Sequence, residues 1–99
     1  PLIAARRVAM ALRYYPGAIS SRDVTIDKFA SGLDRKSIEQ LKLIREQLIK
    51  TNTGIDDLQF LKTKDGRILI HDAMGVRSEV DRNNILLIDK IIELRSRLK

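Results

Sequence analysis

Cysteine is absent from the 99 residues. That excludes disulfides, thiolate metal sites and cysteine nucleophiles, and leaves the compartment open. Tryptophan is absent too, and two tyrosines and two phenylalanines are the only aromatics, so the core must be built mainly from Ile and Leu. A single histidine, His71, occurs, which rules out a two-histidine nuclease site. There is no phosphate-binding glycine loop, GxSxG, HExxH or cysteine-based zinc pattern. No apolar run approaches the roughly 18 residues of a membrane span, and no signal peptide is recognisable. The chain opens on Pro1 rather than Met. It therefore reads as a single domain over residues 1–99, cut or processed from something longer.

What is present is charge and a clear local pattern. Nineteen basic and thirteen acidic residues give a net charge of +6, which favours a polyanionic partner such as nucleic acid, or an acidic protein. The excess is uneven: Arg6, Arg7 and Arg13 have no acidic neighbour before Asp23. They lie off the apolar stripe Ala5, Val8, Ala9, Leu12 and Tyr15 of a helix expected over Leu2 to Tyr15, which Pro16-Gly17 stops. Their basic face suits phosphate, although a solvated face explains it as simply.

The densest information lies between Asp56 and Val76. Leu58–Lys62 and Arg67–His71 are short apolar runs separated by Thr63-Lys64-Asp65-Gly66, and Asp-Gly is a strong hairpin signal because glycine accepts a positive φ. Leu58, Phe60, Ile68 and Ile70 point to one face and Leu61 and Leu69 to the other, so helices must cover the hairpin on both sides. Asp34 to Lys50 is a helix capped by Asp34. Its buried stripe is Ile38, Leu41, Ile44 and Leu48, widened by Leu43 and Ile49, with Lys42–Glu46–Lys50 pairs outside. Arg82 to Leu98, capped by Asp81, is the last helix. Residues 18–33 are ambiguous between a strand at Asp23–Ile26 and a short helix capped by Thr25 and ended by Gly32; the short helix is preferred. Gly75 to Asn84 reads as a polar connector. The predicted class is α+β, a small antiparallel hairpin or sheet against three main helices, in the order helix, short element, helix, hairpin, helix.

A His-Asp pair where a strand meets a loop is a common position for functional groups, because the scaffold holds them and the loop exposes them. In a nuclease model His71 moves protons, Asp72 orients it or a metal, and Arg77 binds phosphate. Arg67 and Lys62, with Arg6, Arg7 and Arg13, would bind phosphate. Magnesium is possible at the acidic residues nearby, and no spacing is diagnostic of it.

Two resemblances accompany this reading. Asp57-Leu58-Gln59, a strand, Asp65-Gly66-Arg67, a strand and Asp72 loosely resemble the catalytic-loop hairpin of kinase-like phosphotransferases. There one aspartate precedes a hairpin and a second, after it, holds magnesium. The nucleotide-binding lobe, the glycine-rich loop and the metal-binding Asn are missing, so phosphoryl transfer ranks below nucleic-acid chemistry. The stretch from Ile55-Asp56-Asp57-Leu58-Gln59-Phe60 through Asp65-Gly66-Arg67-Ile68-Leu69-Ile70-His71-Asp72-Ala73-Met74-Gly75-Val76 to the Ile/Leu-rich terminal helix resembles the C-terminal effector modules of bacterial polymorphic toxins of the Rhs and contact-dependent-inhibition type. Ala-Met after Asp72 departs from that pattern, and only Asp72 aligns clearly. The second resemblance implies a toxin secreted from a bacterium into a target-cell cytoplasm. It also implies nuclease action, RNase before DNase, and an acidic immunity protein as partner. The competing expectation is a non-enzymatic module that binds a protein or nucleic acid.

Overall fold

The computed structural model describes residues 14–71 and 74–98. The helix expected over Leu2–Tyr15, with Arg6, Arg7 and Arg13, falls almost wholly outside the described residues, and so does Asp72. The described elements are β1 (Ile19–Ser20), α1 (Ile26–Ser31), α2 (Arg35–Lys50), β2 (Gly54–Asp56), β3 (Gln59–Lys62), β4 (Ile68–His71), β5 (Gly75–Arg77) and α3 (Arg82–Ser96). This is the expected α+β arrangement, with small antiparallel sheets and three described helices. The ambiguous segment forms the short helix: the Thr25 hydroxyl accepts from Lys28 N, and Gly32 ends the helix.

The hairpin is β3–β4, pairing Gln59 with His71 and Lys62 with Ile68. Gly66, at φ +86°, makes its turn. Sequence patterning did not show three further strands. β1 adds to β3 through Ile19↔Lys62 and Ser20↔Leu61, and β2 pairs with β5 through Gly54↔Arg77, Ile55↔Val76 and Asp56↔Gly75. The start of the polar connector is thus a strand. Two or three residues are too short to display a period, so only the partner strand reveals them.

Phe29, Ala30, Leu33, Leu41, Leu48, Ile55, Leu58, Phe60, Ile68, Ile88 and Ile91 form the core. Phe60 and Leu61 are both buried although they face opposite ways, so the hairpin is covered partly on both sides as expected, while Ile70 on the Phe60 face is exposed. The widened stripe of α2 is corrected: Leu43 is 57% and Ile49 48% exposed. The sheet is too small to cover a broad face of α2. Lys42 pairs with Glu39 rather than Glu46, at 3.5 Å.

Two caps fix the long helices. Asp34 Oδ1 accepts from Ser37 N at 2.8 Å, and Asp81 Oδ1 accepts from Asn83 N at 2.7 Å. These donors, Ser37 for Asp34 and Asn83 for Asp81, hold each carboxyl below its ordinary pKa. One buried polar side chain ties α3 to the sheet. Asn84, 5% exposed, accepts from Ile55 N at 2.8 Å and donates to Ile55 O at 2.9 Å, so it replaces a missing strand partner for β2. Gly54 is required beside it, because a Cβ there would lie 2.4 Å from Glu79 O.

Candidate active site

The two ladders of the hairpin strands are interrupted at the same place. Pairing runs through Gln59↔His71 on one side and Asp56↔Gly75 on the other. Between these two registers lie Asp57 and Leu58, which belong to neither ladder. Leu58 turns inward and is buried. Asp57 adopts φ +53°, a left-handed conformation unusual for a residue other than glycine, and its side chain is 43% exposed. On the opposing side Met74 N donates to Asp56 O at 3.1 Å. Both described neighbours of the 72–73 pair, His71 and Met74, are therefore tied to the loop that carries Asp57. The break leaves the Asp57 carboxylate accessible.

Each oxygen of Asp57 has a donor. Gln59 Nε2 donates to Oδ1 at 3.2 Å, and Arg22 Nη1 lies 3.5 Å from Oδ2. Gln59 is itself oriented by Ser21, whose hydroxyl donates to Oε1 at 3.2 Å. His71 Nε2 lies 3.0 Å from the hydroxyl of buried Ser20.

The other expected site residues are spread out. Arg67 and Lys62 stand at the turn end of the hairpin. Arg67 is about four strand residues, roughly 13 Å, from His71. Its guanidinium pairs with Asp65 at 3.4 Å and sits 5.7 Å from the Tyr15 ring centroid, which places it against the turn rather than the break. Arg77 is near the break, but it donates to Asp56 Oδ1 at 2.9 Å and also pairs with Asp81. There it clamps β5 between β2 and the cap of α3, and these two carboxylates raise its pKa, the Asp81 hydrogen bond foremost. The residues that surround Asp57 instead, Ser21, Arg22 and Gln59, had no local signal. Two of them come from a strand end far away in sequence. Asp57 had one: it stands just before an apolar strand whose hairpin partner runs into Asp72.

Among the described residues no three His, Cys, Asp or Glu side chains group to hold a metal ion. Among the described residues no helix is long and apolar enough to cross a membrane.

A family model for the type III secretion system effector HopBF1 kinase domain matches residues 18–97. A search of curated proteins found no match. The family match supports a bacterial effector. It corrects the polymorphic-toxin resemblance, and it lends no support to nuclease chemistry, a nucleic-acid partner or an immunity protein. It also reverses the order in which the sequence ranked its two resemblances, because the matched family carries the kinase name.

Proposed function

Since the chain belongs to the HopBF1 kinase-domain family of type III secretion effectors, we propose that it transfers a phosphoryl group inside a host cell, with Asp57 and Asp72 as its working carboxylates. The observation that carries this reading is the shared break in the two ladders. It leaves Asp57 exposed in a left-handed turn, and in the sequence the second hairpin strand runs directly into Asp72. That is the layout phosphotransferases use, one carboxylate for the acceptor hydroxyl and one for magnesium.

Asp57 faces solvent with its oxygens directed by Gln59 and Arg22. It accepts the proton of an acceptor hydroxyl as that oxygen bonds to the terminal phosphorus of a nucleoside triphosphate. The bond from phosphorus to the bridging oxygen breaks, and nucleoside diphosphate leaves. Asp72 would hold magnesium, which when bound neutralises phosphate charge. Neither a glycine-rich loop nor the metal-binding Asn before the hairpin occurs in these 99 residues. His71 serves here to hold the end of β4 through Ser20 rather than to move a proton. Arg77 serves to fix β5.

The test is transfer from γ-labelled ATP with magnesium by the full-length protein, beside Asp57→Asn and Asp72→Asn. Label should transfer with the wild type and fall by orders of magnitude with either variant. Undiminished transfer by Asp57→Asn removes its role. Absence of both transfer and magnesium-dependent nucleotide binding in the wild type removes the whole reading.

A further inference from the structure

The corner that follows β1 carries three consecutive polar residues turned inward. Ser20 is 2% and Ser21 8% exposed, and the Arg22 side chain is 25% exposed. The backbone locks this corner first: Ser21 N donates to Phe60 O at 2.8 Å, and Arg22 N donates to Ser20 Oγ at 3.1 Å. The side chains then reach across to the break in the hairpin. Ser21 Oγ accepts from Phe60 N at 2.9 Å, which leaves its one proton for Gln59 Oε1. That bond decides which way the Gln59 amide faces. With its oxygen held by Ser21, its NH2 must point to Asp57, and a carboxylate can only accept. Arg22 takes the other carboxylate oxygen.

We propose that Ser21 and Arg22 form a positioning brace for Asp57, Ser21 acting through Gln59 and Arg22 directly. The inference rests on the reading of Asp57 as the proton-accepting carboxylate. Asp57 needs such a brace because it sits on an exposed turn, where its own strand reaches its side chain only through Gln59. Two donors from separate elements, one on each oxygen, leave one orientation. Stability alone gives little reason for the arrangement, since an ion pair this exposed contributes little to folding. The same corner holds the far side of the break, because Ser20 meets His71 at the end of β4.

The experiment is a double-mutant cycle on phosphoryl transfer by the full-length protein, with Arg22→Gln, Arg22→Lys and Ser21→Ala each made alone and in the Asp57→Asn background. Misplacing a reacting group by about an ångström can cost up to about a hundredfold. Arg22→Gln should therefore lower kcat by about tenfold or more with KM for the nucleotide unchanged. Arg22→Lys should recover part of that loss. In the Asp57→Asn background neither Arg22→Gln nor Ser21→Ala should lower the residual rate further, because a brace acts only through what it holds. Equal losses in both backgrounds, or an unchanged kcat in Arg22→Gln, overturn the brace. Normal transfer by Asp57→Asn overturns the base assignment instead. A readout independent of turnover separates the two: the HN–Hα coupling of Asp57 and the side-chain amide resonances of Gln59. Both should shift in Arg22→Gln and in Ser21→Ala, and identical spectra in both variants sink the brace whatever the activity. Because Ser21 also caps Phe60 N, its variant is interpreted only with Arg22→Gln, which leaves that bond intact.

Discussion

At the turn end of the central hairpin, charged groups find partners close by or on a neighbouring helix end. Thr63 donates to Asp65, the main reason the pKa of that carboxyl is lowered, and Arg67 adds to the effect. Ser37, at the start of α2, has its hydroxyl 2.8 Å from Asp34 Oδ1 and 2.9 Å from Gly66 O. Gln40 accepts from Ile68 N at 2.7 Å. At the Asp57 end the ladder breaks, a non-glycine residue takes a positive φ, and the partners are Gln59 and, from the corner after β1, Arg22. One end spends its polar groups on closing the fold. The other spends them on directing a carboxylate that still reaches solvent. A hairpin can carry chemistry where its ladder is interrupted, because uninterrupted pairing uses up the backbone groups and fixes side chains against neighbours.

The largest effect should separate the two ends by activity. Asp57→Asn removes the proton acceptor, while asparagine tolerates the left-handed backbone. Transfer should fall by about 10²- to 10⁴-fold with the melting temperature unchanged. Asp65→Asn at the other end should leave transfer as it is, and a comparable loss there would erase the contrast. Next comes Asn84→Ala, which leaves Ile55 N and O buried without partners. It should cost about 1–3 kcal/mol for each buried group left unsatisfied, read from urea unfolding. It should also loosen the Asp57 end, because β2 leads directly into Asp57.

A smaller effect belongs to the turn end. In Gly66→Ala the new Cβ would lie 2.9 Å from Asp34 Oδ2, on top of a backbone cost of about 1–2 kcal/mol for the left-handed conformation. Chemical denaturation should show the loss, and kcat should stay put; a stable variant with impaired transfer would contradict the division of labour. The smallest is electrostatic. Asp34 has its pKa lowered chiefly by the Ser37 backbone N–H. Its contribution is therefore complete above the unfolded value of about 3.9 and fades as pH falls through and below it. Asp34→Asn keeps a capping oxygen but not the titration, so the fall in melting temperature on acidification should flatten. An unaltered acid slope would assign it elsewhere, Asp81 being the next candidate.

How much of this was legible follows from distance along the chain. Thr25, Asp34 and Asp81 announced their helices because a cap acts within a few residues of itself. Gly66 announced the hairpin because a two-strand turn is local. Asp57 and Asp72 were visible as a pair flanking that hairpin, yet the missing glycine loop and asparagine weighed against them and left His71 as the favoured group. Ser21 and Arg22 were not legible at all, since no periodicity links them to Gln59 and Asp57.

The sequence by itself determined the helices, the hairpin and the apolar residues that cover it on both sides, because propensity, capping and alternation are read out over one or two turns of chain. Only the tertiary structure decided where the strand ladders break and which side chains converge there. Register between short strands depends on what else they pack against. β1, β2 and β5 are too short to state a preference of their own, and they exist because β3, Asn84 and each other supply the hydrogen bonds they lack.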